Sequence, residues 1–272
     1  MTLNDLAKKF ALTSGIMLAL ASQQASAITI NINFVGGLTP SQQDAFTQAE
    51  TFWENTLIGY QPGISIPSID IDAEGSPIDG VGGTLGSAGP TFITSQAGYT
   101  LTTDGAMTFD TADLNNLELS GSLQDVILHE MAHVLGFGTL WNEDYNGVYN
   151  SGSGQYTGAN ALATYQTEFN QPGATFVPIE LGGGTGTADG HWDEVNGGSG
   201  LTGITDINGN DMRDELMTGW LNSPTFVSNT TRMSFMDIGY EVAVVPVPAA
   251  LWLFISGFAL LFGLSARKRA AA

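Results

Sequence analysis

From Ile28 to Phe34 apolar and polar residues alternate (I-T-I-N-I-N-F), the period of a strand with one buried face, and Gly36-Gly37 ends it. Thr39-Pro40-Ser41-Gln42 then offers a helix N-cap, a proline at the first helical position and a capping-box glutamine. Ala45, Phe46, Ala49, Phe52, Trp53 and Leu57 follow at helical spacing, so the pattern predicts a strand and then an amphipathic helix. Ile64, Ile66, Ile69 and Ile71 suggest a second strand, with Pro67 confining part of it to a sheet edge. Gly75 to Gly89 reads as a glycine-rich loop, and Met107 to Asp110 as a short strand before the next helix. Trp141 to Gly190 is rich in Gly, Asn, Ser and Thr and reads as a long insertion wrapped over the surface. It carries one helical patch, Asn160 to Phe169, and a flexible turn at Gly182-Gly183-Gly184.

Two apolar runs stand apart from these periodic segments. Lys8 and Lys9 precede Phe10 to Leu20 and the small residues Ala25-Ser26-Ala27, the order of a secretory signal peptide spanning 1–27. Ala249 to Ala266 is long enough to span a bilayer and stops at Arg267-Lys268-Arg269, which places everything before it outside the cytoplasm. With Val245-Pro246-Val247-Pro248 ahead of it, segment 244–272 resembles a bacterial PEP-CTERM sorting signal, although Val247 stands where that signal has Glu. A plain membrane anchor is the alternative. Both ends predict an exported, extracellular or cell-surface protein that meets export and sorting machinery and, through the C-terminal helix, a membrane. The domain between them is 28–243.

Charge narrows the partners. Five of the seven Lys and Arg lie in the two end segments, which leaves Arg213 and Arg232 against 26 acids (27 less Asp5), a net of 2 − 26 = −24. Such a surface repels nucleic acid and anionic lipid. Cysteine is absent, so an exported fold here depends on packing, bound metal or both. Asp206-Ile-Asn208-Gly-Asn210-Asp211 alternates hard oxygen donors and reads either as a Ca2+ loop or as a polar turn; it departs from the EF-hand pattern.

The chemistry concentrates in Ser122 to Gly138. Ser122 and Asp125 form an S-x-x-D capping pattern, and Leu123, Val126, Ile127, Met131 and Val134 supply a helical apolar set. On that helix His129 and His133, four apart, face one metal, with Glu130 beside its open position; neutral imidazole suits Zn2+. Gly136 marks a helix-ending turn with a left-handed residue. Of the groups able to complete the metal site, Glu143 and Glu168 sit in no supporting motif, and His191 is the remaining histidine, 58 residues beyond His133.

HEMAHVLGFG, the later HWDE from His191 to Glu194, and ELMTGWLN from Glu215 to Asn222 together resemble the leishmanolysin family of metzincins. Tyr156-Thr-Gly-Ala-Asn-Ala, Val177-Pro-Ile-Glu180 and Asp237-Ile-Gly-Tyr240 extend the likeness over Leu123 to Val242. The resemblance implies His129, His133 and His191 as zinc ligands, Glu130 as catalytic base and Met217 as the Met-turn methionine. Thr139 occupies the compact third-ligand position of other metzincins, so the likeness rests on His191. It also implies an α+β, two-lobed peptidase, with a twisted sheet and active-site helix over about 28–138 and an irregular lower lobe over about 139–243. A polypeptide substrate would add a strand to the upper sheet, at an edge expected from Met107 to Asp110. The competing expectations are a surface or matrix adhesin with a structural or inactive zinc site, and a zinc amidase.

Overall fold

The computed structural model describes residues 27–194, 198 and 200–243; the expected signal peptide through Ser26 and the C-terminal sorting segment lie outside them. Among the described residues no helix is long and apolar enough to cross a membrane.

Strand β1 (Ile30–Gly36) leads into helix α1 (Pro40–Thr56), which starts on the capping box read from the sequence: Thr39 accepts from the Gln42 N–H, and Gln42 returns to the Thr39 N–H. Phe46, Ala49 and Trp53 of α1 are fully buried. Strand β2 (Leu57–Tyr60) follows α1 directly, and β3 (Ile69–Ser76) begins only past Pro67. β3 is interior to the sheet rather than at its edge, because the proline lies outside the hydrogen-bonded run.

The main sheet is mixed and four-stranded, in the order β1-β3-β5-β4, where β4 is Gly86–Gln96 and β5 is Tyr99–Asp110. β1, β3 and β5 run parallel, and β4 returns antiparallel to β5 through Ala97-Gly98, both with positive φ, the backbone that a two-residue hairpin needs. This corrects two expectations. Met107 to Asp110 lies in β5, one strand in from the edge, and the edge is β4. Gly86 to Gly89, read as loop, is the first stretch of that edge; glycine and Pro90 are tolerated there because the outer side of an edge strand needs no ladder donor.

One sheet face packs on α1, through edge-to-face contacts of Phe46 with Phe34 (5.6 Å) and Phe109 (5.2 Å). Helix α2 (Leu114–Ser120) then turns the chain into α3 (Leu123–Val134), which lies beside α1 and the sheet; the Trp53 Nε1–H donates to the Leu128 carbonyl at 3.1 Å. Ser122 occupies the N-cap position of α3 with helical backbone angles and makes no side-chain cap bond, unlike the expected capping pattern.

The C-terminal half contains the two-stranded pair β6 (Gln155–Tyr156) and β7 (Val177–Pro178), helices α4 (Ala159–Glu168) and α5 (Asn229–Asp237), and β8 (Tyr240–Val242), which pairs with β2. Asp237, ending α5, accepts from the N–H groups of Asn160 and Ala161 at the start of α4. Glu168, ending α4, accepts from those of Asn229 and Thr230 at the start of α5. The two helices thus cap one another. The insertion is no mere surface wrap: Trp141, Tyr149, Tyr156 and Val177 are buried, and Phe137, Trp141, Tyr156 and Trp192 form one aromatic cluster. The whole is a mixed α and β structure compatible with the α+β expectation.

Candidate metal centre

Leu123, Val126, Ile127, Met131, Ala132 and Val134 bury most of the circumference of α3, which leaves its polar residues the narrow side toward the C-terminal half. The helix stops where the sequence places its stop. Gly136 takes φ +111°, and the Phe137 N–H reaches back to the Ala132 carbonyl at 2.9 Å, a closure that requires the left-handed residue between them. The reversed chain then makes its closest approach at Gly138, where an added Cβ would stand 2.3 Å from the Gly190 carbonyl oxygen. That contact sets the distance between the helix end and the segment that carries His191.

The histidines from the two segments meet. The Nε2 atoms of His129, His133 and His191 are each 3.0 Å from the other two. Every Nδ1 faces a main-chain carbonyl: His129 that of Leu216 at 2.7 Å, His133 that of Phe137 at 2.9 Å, and His191 that of Thr187 at 2.8 Å. A carbonyl only accepts, so each Nδ1 carries its hydrogen and each Nε2 presents a lone pair. Three lone pairs facing one another repel unless a cation lies among them. Three nitrogen donors this close together could hold one metal ion among them, a donor set that suits zinc.

Electrostatics agree with a neutral ligand set. Burial lowers the pKa of His129, against the pull of the Leu216 carbonyl. Burial and the neighbouring His191 and His129 push His133 well below its usual range, and burial with His129 brings His191 to about 3. The three histidines therefore form a cluster that could hold a metal ion, compatible with zinc. Glu130, next in the chain, is 8% exposed, and burial raises its carboxyl to about 8. Gly86 at the head of β4 lies against it: a Cβ there would be 3.0 Å from Glu130 Cγ. The sheet edge and the candidate base are thus neighbours.

Other candidates lie elsewhere. Glu143 accepts from the Ser151 N–H and Glu168 caps α5, so neither joins the histidines; the Thr139 hydroxyl donates to the His133 carbonyl at 2.7 Å. Met217 is fully buried, and its carbonyl accepts from the Trp192 N–H at 3.0 Å. In the 206–211 loop, Asp206 Oδ1 accepts from the N–H groups of Asn208 and Asn210, and Asp211 from those of Thr202, Gly203 and Arg213. Those bonds describe the polar turn of the two readings.

Sequence reasoning missed Glu215. This 1%-exposed carboxylate accepts from the Met217 and Ser228 N–H groups at 2.6 and 2.9 Å and from the hydroxyls of Ser228 and Thr231 at 2.9 and 2.6 Å. It organises the turn whose Leu216 carbonyl holds His129 and whose Met217 carbonyl holds Trp192. The only signal was an acid set directly before Leu216-Met217.

No protein-family model matches this chain, and a search of curated proteins gave no match.

Proposed function

We propose that the protein is an exported, zinc-dependent endopeptidase of the leishmanolysin-like metzincin type, anchored or sorted at the cell surface through its C-terminal segment. The observation that carries this reading is the meeting of three Nε2 lone pairs, two of them from the helix that also carries the buried Glu130. His129, His133 and His191 would hold the metal. Zinc, when bound, supplies a Lewis acid that brings the pKa of a coordinated water toward about 7 and polarises a carbonyl.

The chain's own groups do the rest. Glu130 takes a proton from the attacking water and delivers it to the leaving amine. The Nδ1–H bonds to Leu216, Phe137 and Thr187 fix each imidazole's tautomer and plane. The outer edge of β4, beginning beside Glu130, offers main-chain groups to an extended peptide, which would join the sheet as a further strand. The acidic surface favours export in soluble form and disfavours nucleic acid.

The test is zinc analysis paired with casein hydrolysis on the wild type and Glu130→Gln. The expected result is one zinc per chain in both, with activity lost in the variant by roughly 10²–10⁴-fold or more. Full activity in the variant rejects Glu130 as the base, and a zinc-loaded but inert wild type rejects the peptidase in favour of a structural site.

A further inference from the structure

Loop 201–211 and segment 214–226 enclose a cavity of about 420 Å³ that the proposed chemistry leaves unused, a volume within the range of ligand pockets. Hydrogen bonds tie its walls together. Within the loop the Asp206 N–H donates to the Asn210 carbonyl at 2.9 Å. At the loop's base the Asp211 carboxylate accepts from the Thr202 and Gly203 N–H groups, at 2.9 Å each, and from the Arg213 N–H at 3.0 Å. Across the cavity the Phe226 N–H donates to the Asp214 carbonyl at 3.1 Å. The walls are therefore set before anything enters.

The lining has two characters. Leu201, 66% exposed at the rim, Pro224 and the half-buried Phe226 give it an apolar side. The other side carries acceptors. Asp214 Oδ1 takes the Arg213 Nε–H at 2.8 Å, and Asp214 Oδ2 meets no donor among the described residues. The Asn210 Nδ2–H donates to Asp206 Oδ2 at 2.9 Å, which leaves Asn210 Oδ1 to accept. Asp206, Asp211 and Asp214 stand here against Arg213 alone, so the local field is negative.

We propose that this cavity is a docking pocket for a lysine or arginine side chain of a bound polypeptide. The aliphatic stem lies along Leu201, Pro224 and Phe226, and the cationic head reaches Asp214 and Asn210. A wholly apolar side chain would strip water from the Asp214 carboxylate without replacing it, and an acidic one would meet like charge. A bare metal ion is not served, because among the described residues only the three histidines gather their ligand atoms within 4.8 Å. The Asp214 wall runs on into Leu216, whose carbonyl holds His129, and Ser223 Oγ lies 3.4 Å from Ser122 Oγ at the head of α3. At the rise of an α-helix Ser122 is about 10 Å from His129, the span of about three extended residues. A substrate gripped here would present a bond about that many residues away; this placement rests on the peptidase reading, and the pocket itself does not.

The experiment follows the amide resonances of Thr205, Asn210 and Phe226 in the full-length, zinc-loaded Glu130→Gln protein as blocked peptides are added, each carrying a central lysine, norleucine or glutamate flanked by alanines. The lysine peptide is expected to shift these amides and to bind roughly tenfold tighter than the norleucine peptide at about 50 mM salt, with the gap narrowing near about 500 mM, while the glutamate peptide leaves them unmoved. Asp214→Asn and Leu201→Ala should each weaken the lysine peptide about fivefold or more, with the unfolding midpoint kept within about 2 °C of the parent protein. Equal binding of the lysine and norleucine peptides, or a lysine preference that Asp214→Asn leaves intact, would overturn the pocket. Lysine-selective binding alongside a zinc-loaded but inert wild type would support the pocket while removing the peptidase reading, and casein cleavage without lysine-selective binding would do the reverse.

Discussion

Replacing Gly138 with alanine should cost the protein its third histidine without dismantling its core. The new Cβ would stand 2.3 Å from the Gly190 oxygen, 2.8 Å from its Cα and 2.9 Å from its carbonyl carbon, where ordinary contact begins at 3.4 Å. The Gly190 backbone must therefore retreat by about 1 Å (3.4 − 2.3), and His191 is the next residue along. Metal sites keep their ligand distances within about 0.2 Å, so the retreat is several times what a three-nitrogen set can absorb. Gly138 also has φ +71°, which adds roughly 1–2 kcal/mol of strain for any other L residue. Gly147→Ala is the matched control: its φ of +64° brings similar strain, and nothing lies within 4 Å of its Cβ. Competition with a chromophoric chelator should show zinc affinity reduced more than about 100-fold in Gly138→Ala and nearly unchanged in Gly147→Ala. Zinc bound by Gly138→Ala within threefold of wild type would refute the claim that this contact sets the reach of His191.

Three further outcomes follow from buried polar groups. Glu215→Ala leaves four donors without their acceptor and should lower stability by about 3–5 kcal/mol in denaturant titrations, with a weakened metal site as the Leu216 turn loosens. Asp237→Ala and Glu168→Ala each remove one cap from the paired helices and should cost about 1–2 kcal/mol, and a double variant whose cost departs from the sum would show that the two caps act together. For Asp211, burial raises the pKa, but the N–H donors of Arg213, Thr202 and Gly203 and the Thr202 hydroxyl bring it below the ordinary value of 3.8. Its stabilising contribution is therefore full above pH 3.8 and lost as pH falls through the depressed value. Asp211→Asn should be less stable than wild type near neutrality, and the gap should close in acid.

Much of the site was legible because it is local. The spacing of His129, Glu130 and His133, the stop at Gly136 and the cap at Thr39 each depend on a few adjacent residues, and the structure places them accordingly. His191 was reached by exhaustion, as the last histidine in the chain. The sheet edge was not legible, since β4 carries glycine and proline and has no alternating burial, having a ladder partner on one side alone. The insertion was misjudged for a related reason: its abundant glycine and asparagine hid a few large aromatics, and Trp141 and Tyr156 suffice to root it in the core. Ser122 had the composition of a cap without the extended backbone that brings such a hydroxyl to an N–H.

The carbonyl partners of the three imidazoles have a consequence for how the protein can change. Leu216, Phe137 and Thr187 contribute oxygens that belong to the peptide chain itself, so no replacement of those side chains deletes them. Drift in sequence can restyle the surroundings while the ring orientations persist, whereas unravelling of any one of three remote stretches frees a ring. Release of a metal held by the three rings would then be an early alarm of unfolding, audible before the hydrophobic interior opens.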